Sequence, residues 1–242
     1  MKGVIWGICP DAQVVDLTHQ IPSFDVDSAS FAVVQALPYF PDNTLHLIVV
    51  DPGVGTARRA LAVQGTRGRY VAPDNGVLGP ILAEDPPKAA HEIVPSDRVP
   101  RALSDTFHGR DVFAPAAAHL AAGIPLEQLG SPIDDDLVNG FAPPEKRQDG
   151  WLAQVIHVDR FGNLITNITP ENLAEINTIK INGLTLPVVR RYGDIGTGHV
   201  GALVGSADRL EIFVREGSAK EALKAGRGSQ VIGLNLPIGD PI

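Results

Sequence analysis

The chain has 242 residues, of which 44% are hydrophobic and 20% are charged, and its formal net charge is −8. This length and apolar content predict one large or two moderate globular domains with a buried core. The acidic balance argues against a nucleic-acid interface, because phosphate binding requires a basic face. The single cysteine, Cys9, excludes an intramolecular disulfide and a cysteine-based metal cluster. No apolar run reaches the roughly 20 residues that span a bilayer, so we expect no membrane association and a cytoplasmic location.

The first part of the chain alternates short β-like runs with helix-like ones. Period-2 and apolar patterns predict strands at residues 14–17 and 45–50, and helical spacing predicts helices at residues 28–37 and 111–122. Residues 1–5 read as the interior of an apolar helix with no N-cap residue ahead of it. This alternation predicts an α/β N-terminal domain with a central, mostly parallel sheet.

Residues 139–150 are polar and rich in Gly and Pro, which is typical of an interdomain linker. We therefore predict an N-terminal domain at residues 1–144 and a C-terminal domain at residues 145–242.

The C-terminal part changes to short strands separated by turn signals. Asn182-Gly183 lies between two apolar runs and predicts a hairpin, because a type I′ turn requires positive φ at both central positions. The pattern predicts a small antiparallel β-barrel or sandwich. The predicted strands are residues 152–158, 163–168, 178–181, 184–189, 202–204, 209–214 and 230–234.

Three glycine-bearing polar loops each follow an apolar run in the N-terminal part. They carry Asp51, Asn75 and His108, and the runs before them, residues 46–50, 70–72 and 104–107, read as strands. Ligands sit at the carboxyl ends of parallel strands, so these three side chains are predicted to converge on one pocket.

Each loop also has an ordinary structural interpretation. Asp51 with Arg58 or Arg59 is equally typical of a tight turn with an exposed ion pair, and Asn75 lies in a common turn tripeptide. His108 is harder to dismiss, because it lies with a glycine between a predicted strand and an apolar helix. The acidic residues and histidines have no recognised metal-ligand spacing, so no metal is predicted.

In the C-terminal part, polar residues crowd the entrance to the strand after residue 158. Asp159 and Asn163 lie in this segment, DRFGN at residues 159–163. They either face a ligand or form a bulge at a barrel rim.

Four motifs taken together resemble the S-adenosyl-L-methionine hydroxide adenosyltransferases, the hydrolytic relatives of the fluorinases and chlorinases. The resemblance runs in order over essentially the whole chain. The motifs are VVDPGVGT at residues 49–56 with Arg58, PDNG at residues 73–76, FHGRD at residues 107–111 and DRFGN at residues 159–163.

The resemblance implies an N-terminal α/β domain, a C-terminal β-barrel and a homotrimer whose substrate pockets lie between the two domains of neighbouring subunits. It implies the reaction of S-adenosylmethionine with water to give adenosine and methionine, without a cofactor. Asp51, Arg58 and His108 match the triad that handles the attacking water, although Arg59 is adjacent and spacing alone selects Arg58. The positions matching substrate-binding residues are Phe24, Asn75, Asp159, Phe161, Asn163, Tyr192, Ser206, Glu211 and Val214.

Two departures define the alternatives. Halogenating relatives carry a tyrosine at the position of Asp51 and a tyrosine-serine pair at His108-Gly109, so hydrolysis is favoured over halogenation. Family members usually begin with a strand and a Thr-Asp-Phe-Gly-like segment whose aspartate binds the ribose, and this sequence starts in what resembles the following helix. A catalytically impaired adenosine-binding or S-adenosylmethionine-binding homologue is therefore one alternative. A halogenase and a metal-dependent hydrolase are the others.

Overall fold

The computed structural model describes residues 1–135, 137, 142–148 and 150–235. The chain divides into two compact units, Met1–Gly140 and Phe141–Ile242. The predicted linker lies partly outside the described residues, at positions 139–141 and 149. The domain boundary between residues 144 and 145 stays a prediction.

In its described residues, the first unit contains a five-stranded sheet and four α-helices, and the strand order is β1-β3-β2-β4-β5. One π-helical turn, Gly109–Phe113, leads directly into the last of these helices. None of the helices in the described ranges has the length and apolar character needed to cross a membrane. The helices are α1 (Lys2–Ile8), α2 (Val26–Ala36), α3 (Gly79–Glu84) and α4 (Ala114–Ala121), and the strands are β1 (Leu45–Leu47), β2 (Ala60–Gly65), β3 (Arg69–Pro73), β4 (Pro87–Ile93) and β5 (Gly130–Pro132).

This sheet is mixed, so the prediction of a mostly parallel sheet is confirmed only for one strand pair. β1 runs parallel to β3, whereas the β3–β2, β2–β4 and β4–β5 pairs are antiparallel. The short connection between β2 and β3 partly explains why this pair is antiparallel. Only residues 66–68 separate β2 from β3, whereas a parallel crossover needs a dozen residues or more.

Two predicted strands are wrong and one is longer than the observed strand. Residues 14–17 form no strand, and Val14 instead packs against the helical cluster of Ile5 and Ala118. Residues 104–107 form a turn before the π-helical segment. The strand predicted at residues 45–50 is hydrogen-bonded as β1 only over Leu45–Leu47. Apolar patterning indicates burial, but it does not supply the neighbouring backbone that a strand requires.

Strand β2 separates two apolar clusters because its side chains alternate between the sheet faces. Ala62 packs in the cluster that contains Phe113, whereas Leu61 and Val63 pack in the cluster that contains Ile81. The same alternation of side chains between the two faces of the sheet continues into the residues just before β2.

The tight turn between β2 and β3 is held by one buried carboxylate. Asp85 accepts hydrogen bonds from the Tyr70 hydroxyl at 2.7 Å and from the backbone N–H groups of Gly68 and Arg67 at 2.8 Å each. Burial alone would raise the pKa of Asp85, but these donors together lower it. The charged carboxylate is thus a structural part of the hairpin.

The second unit is an antiparallel, barrel-like sheet, as predicted. The strand order is β10-β9-β13-β7-β8-β12-β11, and β6 pairs with β7. A bridge between Val188 and Ala202 links the two ends of this order and nearly closes the barrel. The strands are β6 (Glu145–Arg147), β7 (Gly150–Val158), β8 (Leu164–Thr166), β9 (Thr178–Ile181), β10 (Leu184–Pro187), β11 (Val200–Val204), β12 (Leu210–Val214) and β13 (Gln230–Leu234), with helices α5 (Pro170–Leu173) and α6 (Ala219–Leu223).

All seven strands predicted in this unit are present, and the Asn182-Gly183 hairpin is confirmed. The φ angles of these two residues are 47° and 80°, as a type I′ turn requires. Strand β6 was missed, because Glu145–Arg147 is charged and exposed and lies in the segment predicted as a linker.

Candidate active site

The loops after β1 and β3 lie side by side because these two strands are parallel neighbours. The Asn75 side chain spans them, with its Nδ2 donating to the carbonyl of Val50 at 2.9 Å. The loop before the π-helical turn joins them at Gly55. A Cβ built on Gly55 would lie 2.8 Å from the Asp105 carbonyl oxygen, so this close approach requires glycine. The three predicted loops therefore converge.

Asp51 and Arg58 form a buried, forked ion pair. The Arg58 Nε lies 2.9 Å from Oδ1 and 3.1 Å from Oδ2 of Asp51, and the terminal Nη2 also donates to Oδ2. The two side chains are only 10% and 6% exposed. The alternative of an exposed turn ion pair is therefore wrong for these two residues. Two charges taken out of water are retained only with such complete hydrogen bonding.

His108 completes a chain of three side chains. The same Nη2 of Arg58 lies 2.8 Å from His108 Nδ1. A guanidinium carries donors only, so Nδ1 accepts this hydrogen bond and the neutral ring carries its proton on Nε2. The structure thus brings together Asp51, Arg58 and His108, with the guanidinium at the centre.

The π-helical turn and Phe113 complete the support of this chain. His108 immediately precedes the turn Gly109–Phe113, and π-helical segments are common at functional sites. The fully buried Phe113 ring lies beneath Arg58, with 5.1 Å between the guanidinium carbon and the ring centroid. Phe113 was not among the predicted site residues, because a phenylalanine in an apolar helix gives no sign in the sequence of a cation above it.

The other two predicted residues of this unit have different surroundings. The Asn75 amide bonds to backbone on both sides, since its Oδ1 also accepts from the Val77 N–H at 3.2 Å. Phe24 is three-quarters exposed and has a φ of 69°, which is rare for a residue with a side chain. That Asn75 and Phe24 line a substrate pocket stays a prediction.

A second polar cluster is formed at the predicted strand entrance of the second unit. Asp159 Oδ1 accepts from the backbone N–H groups of Phe161 and Asn163 at 2.8 and 2.9 Å. The Asn163 Nδ2 donates to Asp159 Oδ2 at 3.1 Å and to Glu211 Oε1 at 2.8 Å. The Tyr192 hydroxyl donates to the same Glu211 oxygen at 2.6 Å. Asp159, Asn163, Tyr192 and Glu211 are therefore one hydrogen-bonded group.

The surroundings of Glu211 and Tyr192 favour the neutral form of each. Burial raises the pKa of Glu211, and the nearby Asp159 carboxylate raises it further, against the effect of the Tyr192 hydrogen bond. Burial and the neighbouring Glu211 likewise raise the pKa of Tyr192. The Tyr192 ring packs edge-on against Phe213 at 4.8 Å between centroids. The cluster thus combines a hydrogen-bonded polar group with an aromatic contact.

Among the described residues, the side chains of the remaining predicted residues form no hydrogen bond, ion pair or ring contact with this cluster. Phe161 is largely exposed, and the Arg160 guanidinium stacks over its ring at 4.7 Å. Ser206 lies in the exposed turn between β11 and β12, and Val214 is the last residue of β12. In the described part of the chain, no three His, Cys, Asp or Glu side chains are gathered to hold a metal ion.

Family models match both units. The N-terminal domain model of the SAM hydroxide adenosyltransferases matches residues 1–130, and their C-terminal domain model matches residues 153–232. The chain belongs to the SAM hydroxide adenosyltransferase family. The resemblance inferred from the four motifs is thereby confirmed.

Individual relatives match between 71% and 96% of this chain. A Thermus thermophilus protein named (R)-S-adenosyl-L-methionine hydrolase is 41% identical over an alignment of 238 positions that covers 96% of this chain and 91% of the relative. A fluorinase from Actinopolyspora mzabensis is 33% identical over 71% of this chain and 67% of its own length. The crystal structure of an uncharacterized conserved protein from Thermotoga maritima superposes with a TM-score of 0.85 at 35% identity, over 96% of this chain and 93% of the other.

Proposed function

We propose that this protein hydrolyses S-adenosyl-L-methionine, with water attacking C5′ to give adenosine and L-methionine. The observation that carries this proposal is the buried chain of Asp51, Arg58 and His108, held by direct hydrogen bonds. The hydrolase name of the Thermus thermophilus relative supports the same substrate. The name specifies the R sulfonium, so we propose that epimer as the preferred substrate.

The chemistry requires little more than a positioned and deprotonated water. The C5′–S bond breaks with its electron pair moving to sulfur, which leaves as the neutral thioether of methionine. A C5′–O bond forms in its place, and the water proton passes to the Asp51 carboxylate. Holding water in line with the C5′–S bond supplies most of the rate, and a general base adds to it.

Each member of the triad has a role that follows from its hydrogen bonds. The Asp51 oxygens keep lone pairs beyond those used by Arg58, so the carboxylate can accept a hydrogen bond from water. Arg58 fixes the direction of this carboxylate. His108, with Nδ1 already accepting from Arg58, offers only its Nε2–H as a donor for orienting the water oxygen.

We assign substrate binding to the cluster of the second unit. Asp159 and Asn163 hold the methionine and adenine portions, and Tyr192 stacks on the adenine. Support comes from the hydrogen-bonded polar side chains and the aromatic contact of this cluster. The remaining proposed substrate-binding residues are Phe24, Asn75, Phe161, Ser206, Glu211 and the backbone of Val214.

The test is product chromatography after incubation with each sulfonium epimer. We expect adenosine and methionine in equal amounts. We expect Asp51→Asn and His108→Ala each to reduce adenosine release by at least about 100-fold, as loss of a general base or orienting group does. Circular dichroism checks that both variants remain folded. Normal turnover in both folded variants would refute the triad assignment.

Halogenation is the second candidate, favoured by the fluorinase relative. A buried carboxylate beside the nucleophile repels a halide by several kcal/mol, whereas water donates a hydrogen bond to it. We therefore expect no 5′-halogenated adenosine when fluoride or chloride is added. A halide-dependent halogenated product would reverse this preference.

We further propose that the reaction requires no cofactor or metal. The expected result is that chelators leave turnover unchanged, whereas loss of activity that a divalent metal restores would favour a metal-dependent hydrolase. Calorimetry that detects adenosine binding without turnover would instead favour the impaired homologue.

We also propose a homotrimer, which the family resemblance implies, and a cytoplasmic location, which the sequence composition implies. Analytical ultracentrifugation and cell fractionation test them.

A further inference from the structure

Two adjacent residues, Asp74 and Asn75, hold both ends of the loop of residues 51–58. At its start, the Asn75 Nδ2 donates to the carbonyl of Val50 at 2.9 Å. At its end, the Arg59 Nε donates to Asp74 Oδ2 at 2.8 Å, and the Arg59 Nη2 lies 2.6 Å from the same oxygen. The loop that carries the acid and the guanidinium is therefore clamped from the end of a single neighbouring strand.

The two arginines at the start of β2 lie on opposite sides of the chain. Arg58 lies over Phe113, which belongs to one apolar cluster, whereas Arg59 pairs with Asp74 at the end of β3. The Arg58 side chain nevertheless contacts the backbone of Arg59. The carbonyl of Arg59 accepts from the Asp74 N–H at 3.0 Å and from Arg58 Nη1 at 3.4 Å. The carbonyl of residue 59 is thus hydrogen-bonded both to Asp74 and to the guanidinium of the triad.

The pair of Arg59 with Asp74 is the buried half of a larger network. The Asp74 side chain is 5% exposed and that of Arg59 is 23% exposed. Arg59 also donates from Nη1 to Asp135 at 2.5 Å, but that carboxylate is 71% exposed. Exposed ion pairs contribute little to holding a geometry, so the bonds to Asp74 dominate.

We propose that Arg59 and Asp74 are positioning residues that hold Arg58 in the orientation that joins Asp51 to His108. The inference rests on the proposed hydrolase function for its consequence on turnover. Neither residue is given a contact with substrate. Their effect should therefore appear in kcat rather than in KM, because misplaced catalytic groups slow the chemistry without weakening binding.

The first test is Arg59→Ala. We expect kcat for adenosine release to fall roughly 10- to 100-fold, as a displacement of about 1 Å in a catalytic group does. We expect KM to stay within about threefold. Arg59→Lys, which keeps a donor for Asp74, should recover part of kcat. The matched control is Arg67→Ala, because Arg67 lies in the turn between β2 and β3 and its side chain pairs with the exposed Asp42. This variant should leave both constants unchanged.

A second variant keeps the inference testable if Arg59→Ala fails to fold with an unpaired carboxylate. Arg59→Met combined with Asp74→Leu replaces the ion pair by apolar side chains, a change that proteins often tolerate without loss of stability. We expect this double variant to fold and to show the same loss in kcat. Normal kcat in the folded double variant would overturn the proposal.

A readout independent of turnover separates this proposal from the function on which it rests. The 15N resonance of His108 Nδ1, assigned with His108→Ala, reports the hydrogen bond from Arg58. We expect it to shift in Arg59→Ala and to stay unchanged in Arg67→Ala. A wild-type protein that releases no adenosine would reject the hydrolase function alone, whereas an unchanged His108 resonance in folded Arg59→Ala would reject the positioning role.

Discussion

Arg58→Lys is the sharpest test of the triad, because it keeps the charge and removes the fork. The guanidinium donates from Nε and Nη2 to Asp51 and from Nη2 to His108 Nδ1. A lysine ammonium is a point charge on a flexible stem, and it cannot reproduce these bonds together. We expect it to keep one bond to Asp51 and to lose the bond to His108.

The magnitudes follow from the bonds that are lost. Asp51 and Arg58 are at most one-tenth exposed, so solvent does not replace the missing donors. Each hydrogen bond to a charged group contributes about 1.5–3 kcal/mol, and the retained Coulombic attraction limits the loss in unfolding free energy to about that value. Loss of orientation of both the base and the imidazole should lower kcat by roughly 100-fold, or about 2.7 kcal/mol in activation free energy.

Steady-state adenosine release and urea unfolding together measure these quantities. Arg67→Lys is the matched control, because Arg67 makes an exposed pair with Asp42 and should change the unfolding free energy by less than about 0.5 kcal/mol. Wild-type kcat in Arg58→Lys would show that charge alone is sufficient. The forked geometry of Arg58 would then not be required for turnover, whatever the stability of the variant.

Three further predictions concern other parts of the molecule. Asp85→Ala should lower the unfolding free energy by about 3–5 kcal/mol in urea titrations, because it leaves the Tyr70 hydroxyl and two backbone N–H groups without their buried acceptor. An effect below about 1 kcal/mol would contradict it. Gly55→Ala should cost at least about 1–2 kcal/mol and reduce turnover, since φ is +77° and the new Cβ would meet the Asp105 carbonyl at 2.8 Å; wild-type stability would count against this close approach. Because the pKa of Glu211 is raised in the folded protein, its contribution to the unfolding free energy is fully present below pH 4.5 and is lost as the pH rises through the raised pKa. In unfolding experiments across this pH range, Glu211→Gln should remove that loss of stability. Identical pH dependence in Glu211→Gln and wild type would refute the prediction.

The second unit was predictable because its local signals coincide with its pairing. Each apolar run is short and bounded by turn residues, and Asn182-Gly183 specifies its own hairpin. The first unit was less predictable from the sequence, because the direction of a strand depends on the strand with which it pairs. Residues 14–17 have the apolar character of a strand but pack Val14 on a helix instead. The exposed strand Glu145–Arg147 shows the converse, since pairing with β7 alone makes it a strand.

In the candidate site, too, the sequence indicates which residue types could carry the chemistry, but it does not indicate which side chains pair with each other. Residue types and loop positions were enough to single out Asp51 and His108, whereas the choice of Arg58 over the adjacent Arg59 rested on spacing alone and gave no partner for Arg59. The structure gives the two arginines different partners. The Arg58 guanidinium binds Asp51 and His108, whereas the Arg59 guanidinium binds Asp74. An aspartate in an ordinary turn tripeptide thereby acquires a role that no local pattern indicates. Because consecutive side chains of an extended chain point to opposite faces, the two arginines must have different partners, and exchanging their roles would require turning over the whole of β2.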